Sequence, residues 1–457
     1  MEQRFFTVDL FAGCGGISEG FHQAGFGTIA QVEMHPLACE TLRTRQMFFE
    51  LKKSGKLSVY HRYLRGEISR KQIFDDYPEI ADIINLRVIE EELSDETLPS
   101  VINKIKQSMD FHEITDVNVF LGGPPCQPYS IINRAWVQDN NNKGKKDDRN
   151  FLYSYYLKLL EEFHPDLFIY ENVPGLFSAT YDGEKIFKKL LKDFSDLSPS
   201  YIIIPPLEKV SEKPHDYILN SVNFGVPQNR KRLILLGFRE GLEEKNREIY
   251  RIYERLQIRK IPPEQQITVR DAISDLPELY PGQGKNGYYS EYPDKNPASI
   301  YQKKIRRGSI GVLNHFARTH MQSDLNRYRF FIEYIDKTGL SATLKDLITE
   351  DPELMPEHNP DNNEKFIDRF KVQRFEKPAS TITAHISKDG HYFIHPDIEQ
   401  CRSFTVREAA RCQSFPDNFF FEGPRTEQFR QVGNAVPPLM ALAIGREVKK
   451  ELEKVYS

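Results

Sequence analysis

Phe5-Phe6-Thr7-Val8-Asp9-Leu10-Phe11, followed by Ala12-Gly13-Cys14-Gly15-Gly16, is the stretch that decides the fold. Residues 5–11 are apolar or aromatic apart from Thr7 and Asp9 and read as a strand. The glycines at 13, 15 and 16 turn the chain and let its backbone come close to a ligand. Ile17, Phe21 and Ala24 then fall at i, i+4 and i+7, which is one face of a helix, and Gly25 stands where a helix C-cap would. Residues 29–34 read as a second strand, with Glu33 at its end. Strand, turn, helix and strand in that order predict a parallel sheet with a crossover helix.

Further along, residues 117–121 form an apolar run broken by Asn118 and read as another strand. Gly122-Gly123-Pro124-Pro125-Cys126-Gln127-Pro128-Tyr129-Ser130 follows it. Two glycines and two prolines neither extend a strand nor start an ordinary helix. They form a stiff turn that holds the Cys126 thiol at the C-terminal edge of the sheet, where open α/β folds place their ligands. A cysteine held there reads as a nucleophile rather than a core filler. The Lys-, Asn- and Asp-rich loop 137–149 is expected to act as a lid beside it. A helix over 150–163 and strands at 167–170 and 233–238 continue the alternation. Together they predict a doubly wound, mostly parallel α/β domain over 1–275, with the charged, helical stretch 41–112 inserted on its rim. Residues 279–299 are rich in Gly, Pro and Tyr and read as loop. A smaller domain is expected over 276–395, and residues 396–457 are expected to complete the first domain, ending in a helix over 439–456.

At 457 residues the chain has room for two or three domains of roughly 150 residues each. Hydrophobic content of 39% with 28% charged residues fits a globular protein, and no run of about 18 apolar residues predicts a membrane span. Met1-Glu2-Gln3-Arg4-Phe5-Phe6 shows no secretory signal. The cysteines, Cys14, Cys39, Cys126, Cys401 and Cys412, are odd in number, form no Cys-x-x-Cys pair and make no metal-type cluster. A reducing cytoplasm and no bound metal are the expectation. Net charge is -4, yet Lys143 to Lys146, Arg230 to Arg232 and Lys303 to Arg307 form local basic clusters. Each alone reads as solvated surface; a nucleic-acid binder would need them on one face.

Three more elements give the order its meaning. Glu171-Asn172-Val173 follows the strand that ends at Tyr170, Gln228-Asn229-Arg230-Lys231-Arg232 precedes the strand at 233, and Gln431-Val432-Gly433-Asn434-Ala435-Val436-Pro437-Pro438 precedes the last helix. A glycine turn with an acid 24 residues after Asp9 also occurs in dehydrogenases, where the acid meets ribose hydroxyls. With the Pro-Cys turn, the Glu-Asn-Val strand end, the Gln-x-Arg-x-Arg turn, residues 407–417 and the final Gly-Asn-Ala-Val-Pro-Pro in this order, the chain resembles the DNA (cytosine-5) methyltransferase family over 1–275 and 370–457. The segment between them lies where that family carries its target-recognition domain.

The resemblance implies a Rossmann-like methyltransferase fold and S-adenosylmethionine as donor. Phe11, Ala12, Gly13, Cys14, Gly15 and Gly16 would cradle its amino-acid end, Glu33 its ribose and Met34 its adenine face. Pro124 and Asn434 would shape the pocket. The gap between Glu33 and Cys126 is longer than expected for the family. The acid that meets the adenine amino group is not placed by sequence, with Glu91 and Asp95 as weak candidates. The chemistry of the residues agrees. Cytosine C5 becomes nucleophilic once a thiolate adds at C6, a task for Cys126. Glu171 can serve N3, and of Arg230 and Arg232 one can steady charge near the base while the other holds Glu171 or a phosphate. By resemblance Arg230 is the one nearer the base. The target must leave the duplex to be reached.

The basic and aromatic residues of 300–330 (Lys303, Lys304, Arg306, Arg307, Arg318, Arg327 and Arg329, with Tyr301, His315, Phe316 and Tyr328) are expected to meet DNA. The expected partners are double-stranded DNA and a cognate restriction endonuclease or other defence-system proteins. A cytoplasmic, nucleoid-associated protein of bacterial or archaeal type follows. A tRNA cytosine-5 methyltransferase and a DNA-binding protein without catalysis are the alternatives.

Overall fold

The computed structural model describes residues 4–125, 152–181, 184–204, 214–284, 289–294, 296–356 and 369–457. Its centre is an eight-stranded sheet. Strand β1 (Phe6–Leu10) lies between β2 (Gly27–Glu33) and β4 (Val119–Gly122), β3 (Val88–Glu90) edges β2, and β5 (Leu167–Asn172) follows β4, all parallel. A two-residue ribbon, β6 (Thr180–Tyr181) with β7 (Glu184–Lys185), stands apart from the sheet. β8 (Tyr201–Ile203) and β9 (Ile218–Asn220) pair antiparallel with β10 (Lys231–Arg239), which itself runs antiparallel to β5. Alternate residues of the central strands enter separate cores. Val119 and Leu121 join Phe21, Ile234, Leu236 and Met440 on one face; Val8, Leu10 and Phe120 join Tyr156, Phe168 and Leu190 on the other. Burial on both faces is why these strands read as continuous apolar runs.

Helix α1 (Gly16–Ala24) follows β1, and α2 (Pro36–Lys53) follows β2. Residues 41–112 are not a single insertion on the rim. They hold most of α2, the edge strand β3 and the crossover helix α6 (Leu98–Phe111), whose Leu98, Val101 and Ile105 are buried against the sheet. Only α3 (Leu57–Leu64), α4 (Arg70–Asp76) and α5 (Pro78–Arg87) are extra. They share a core with Met47, Phe48 and Leu51 of α2 and with Leu313. After β4 come α7 (Leu152–Phe163) and α8 (Ile186–Ser195).

Beyond the sheet, Tyr301, Ile305 and Val312 pack into the sheet-side core. A separate cluster gathers Tyr328, Phe331 and Ile332 of α9 (Gln322–Thr338) with Leu347, Phe370, Ile394 and Cys401. Helix α10 (Val406–Cys412) starts in a capping box of Thr405 and Glu408, and Glu408 pairs with buried Arg402 at 2.7 Å. Then α11 (Arg425–Asn434) leads to α12 (Pro438–Val455), which returns to lie on α1. The two helices touch because Gly20 has no side chain: a Cβ there would sit 2.4 Å from Ala441 Cβ and 2.6 Å from the Pro438 carbonyl. No described helix is long and apolar enough to cross a membrane.

Candidate active site

Leu10 of β1 pairs with Gly122 of β4, so the two glycine turns leave neighbouring strands at the same sheet edge. The chain winds outward in opposite directions from this pair, which makes a crevice at the C-terminal ends of the strands. In the first turn Phe11 takes φ 56° and Gly13 φ 55°. The Gly13 N–H donates to Glu33 Oε2 at 2.8 Å, and Glu33 Oε1 accepts from the His35 N–H at 2.8 Å. Strand β2 therefore presents its terminal acid to the turn.

The glycines divide the work. The space beside Gly13 is open, with no atom within 4 Å of where a Cβ would be. At Gly15 that space is taken by Leu42 Cδ2 (2.8 Å) and at Gly16 by the Val436 carbonyl (2.3 Å). Sequence reasoning gave all of them to a ligand; at Gly15 and Gly16 the missing side chain also makes room for protein packing. Ala12 is buried, and so is Cys14, with its Sγ 3.4 Å from the Gln431 carbonyl, where burial pushes its thiol pKa up. Met34 is 58% exposed, so it is no core residue, and Asn434 is exposed at the end of α11.

Asp9, two residues before the turn, escaped the sequence reading as a site residue. It is fully buried and accepts a hydrogen bond from the Ser18 hydroxyl. Its Oδ1 has no partner among the described residues. Burial, with the nearby Glu33 charge adding to it, raises its pKa to about 7 against the pull of Ser18. Of the acids considered for adenine, Asp95 pairs with Lys158, and Glu91 Oε1 meets Lys104 and Ser100 while its buried Oε2 has no partner among the described residues.

The second turn is fastened to β5. A Cβ on Gly123 would lie 2.8 Å from Glu171 Oε2, so glycine there lets the turn rest on that carboxylate. Asn172 Nδ2 donates to the Pro124 carbonyl at 3.2 Å. Cys126 itself, like the loop 137–149 and Lys143 to Lys146, lies outside the described residues. Arg232 Nε meets Glu171 Oε1 at 2.8 Å, with both side chains largely shielded.

Of the two arginines one holds Glu171, as expected, and it is Arg232; Arg230, expected nearer the base, is held by backbone carbonyls. Arg230 is buried, and its Nη1 and Nη2 donate to the carbonyls of Ile382 (2.5 Å) and Gly433 (3.1 Å). With both Nη groups spent on backbone, it ties β10 to the two later segments, while Arg232 holds Glu171. Gln228 does similar work, donating to Gln413 Oε1 at 2.8 Å and accepting from the Ile382 N–H at 2.6 Å.

Much of the basic segment 300–330 also turns inward. Arg306 pairs with Asp275 and stacks on Tyr292, Arg318 donates to the Ile386 and Lys388 carbonyls, and Arg327 pairs with Asp324. Tyr301, His315 and Tyr328 are buried. Lys303, Lys304, Arg307 and Arg329 remain exposed.

An open doubly wound sheet, with a glycine turn and strand-end acid on one side of its crevice and a Gly-Gly-Pro-Pro turn over a Glu–Arg pair on the other, defines an α/β enzyme of Rossmann-like methyltransferase type. The model of the C-5 cytosine-specific DNA methylases matches residues 5–58 and 94–450, leaving out most of α3 to α5. The type II methyltransferase M.Bpa9945I of Bacillus paralicheniformis is 40% identical over 97% of this chain and 98% of its own. The type II methyltransferase M.DdeI of Desulfomicrobium norvegicum is 29% identical over 98% of this chain and 89% of its own. Among solved structures, a candidate DNA modification methyltransferase encoded within an E. coli prophage shares the fold, with a TM-score of 0.59 at 21% identity, over 98% of this chain and 99% of that one. This chain belongs to the C-5 cytosine-specific DNA methylase family. It is a DNA (cytosine-5) methyltransferase, and the family implies S-adenosylmethionine as donor and DNA as substrate.

Proposed function

We propose that the crevice between the two turns methylates a cytosine drawn out of a specific duplex sequence, with Cys126, Glu171 and Arg232 acting on the base. The observation that carries this is the fastening of the Gly123-Pro124 turn onto Glu171 and Asn172 at the strand pair that also bears the glycine turn. The residues present fit the donor. Gly13 leaves open space, Glu33 stands at the turn, Met34 and Asn434 are exposed, and Asp9 keeps an unpaired acceptor for a cationic ligand. Phe11 to Gly16, Glu33, Met34, Pro124 and Asn434 would hold it. S-adenosylmethionine, when bound, supplies an electrophilic methyl group.

The Cys126 thiolate adds to C6, and the displaced electron pair makes C5 nucleophilic while N3 takes up a proton at Glu171. Arg232 fixes the Glu171 carboxyl and offers a guanidinium to the charge that develops on the ring. Once C5 carries the methyl group, loss of the C5 proton to a base breaks the S–C6 bond, and return of the N3 proton to Glu171 restores the ring. Arg230 positions rather than reacts.

The cluster built on Tyr328, Phe331 and Phe370 is read as the core of the recognition unit. A cognate restriction endonuclease is the expected partner, since M.Bpa9945I and M.DdeI carry type II names. Transfer of tritiated methyl groups to duplex DNA and to tRNA, side by side, tests the substrate. Incorporation into duplex alone, at one sequence found by bisulfite sequencing, is expected; incorporation into tRNA alone would overturn the reading.

A further inference from the structure

A cavity of about 260 Å³ opens at the first turn of α11, between Asn314, Phe316 and Val406 on one side and Gly423, Arg425 and Gln428 on the other. Among the described residues that line it, Arg425 is the only charged one. The guanidinium lies 5.2 Å from the Phe316 ring centre, and no described carboxylate is ion-paired with it. Burial alone pulls its pKa down, and no acid offsets that. The charges that sense it are of its own sign. Arg318 is lowered to about 10, by burial first and then by Arg425, and Arg425 also disfavours charge on His320. Glu427, the nearest acid in sequence, is engaged by Arg430 (2.5 Å) and His35 (3.4 Å). The amide groups of Asn314 and Gln428 are spent on the Phe421 carbonyl. What the cavity offers a ligand is therefore positive charge against an aromatic wall, which suits a phosphate group.

Its place in the fold says which phosphate. The Glu427–His35 contact joins α11 to the end of β2 beside Glu33. The far end of the helix carries Gly433, held by Arg230, and Asn434. Ten residues of helix span about 14 Å, the length of about four phosphates along one strand of DNA.

We infer that the Arg425 cavity binds a backbone phosphate of the substrate duplex, close to the crevice where the base is methylated. This rests on the DNA methyltransferase reading. Arg425→Gln and Arg425→Lys in the full chain test it, with affinity for the bisulfite-mapped duplex followed against salt concentration. Arg425→Gln is expected to weaken binding roughly tenfold at low salt and to reduce the slope of log affinity against log salt by about 0.9. Arg425→Lys keeps the slope, and the loss falls on KM for DNA more than on turnover. An unchanged slope in Arg425→Gln overturns the inference. So does a lowered melting temperature with unchanged slope, which would make the Phe316 stack a packing contact. If Cys126→Ser still methylates the mapped duplex, the catalytic reading fails while the slope still reports on Arg425.

Discussion

Replacing Asp9 by asparagine is expected to stabilise the ligand-free protein at neutral pH, though it removes a buried charge beside the candidate active site. The folded chain raises the Asp9 pKa from its ordinary 3.8 to about 7. That is roughly three pH units, or about 4 kcal/mol. The sign follows from proton uptake. Between pH 4 and 7 the folded chain keeps the proton that the unfolded chain has released, so stability falls as pH rises through this window. The cost is absent below about pH 4 and complete above about pH 7. Asparagine can still accept from Ser18 but cannot ionise. The melting temperature of Asp9→Asn should therefore match wild type near pH 4.5 and exceed it by an increasing margin up to pH 8. Affinity for S-adenosylmethionine should fall in the same variant, because the unpaired Oδ1 loses its charge. Parallel melting curves for the two proteins from pH 5 to 8, or a less stable variant at pH 8, would refute the reasoning.

Arg232→Ala strands Glu171 in a mostly shielded site, and methyl transfer at saturating DNA is expected to slow by roughly a hundredfold to a thousandfold. Combining it with Glu171→Gln should cost less than the sum of the two, because both changes break one pair. Gly20→Ala drives a methyl group into the α12 backbone and should cost about 1–3 kcal/mol, read as a lowered melting temperature with donor affinity preserved. Gly13→Ala meets open space at a φ of 55°, so it should cost about 1–2 kcal/mol of stability but raise KM for S-adenosylmethionine more than Gly20→Ala does.

The strands that build the crevice were legible because each is buried on both faces and is punctuated by glycine or proline. The first glycine turn, with Glu33 at the end of the next strand, could be read from residues 5–34 alone. What failed were features fixed by distant partners. An arginine on Glu171 was expected, but nothing local says that carbonyls of Ile382 and Gly433 will occupy Arg230. Arg306, Arg318 and Arg327 look like a basic surface until Asp275, the Ile386 carbonyl and Asp324 fold against them. Strand β3 is three residues long, too short to show a period, so α6 behind it merged with the charged stretch before it. Asp9 looked like a strand residue because its burial and its bond to Ser18 arise only once the chain folds back over the strand end.

Duplex DNA carrying 5-fluorocytosine at the target tests the central chemistry most directly, because fluorine at C5 blocks the elimination that releases the enzyme. Incubation with S-adenosylmethionine should give a denaturation-resistant protein–DNA adduct, with the DNA attached to the peptide containing Cys126, and Cys126→Ser should bind the duplex without forming it. An adduct that persists in Cys126→Ser, or wild-type methylation of ordinary DNA by that variant, would contradict the account.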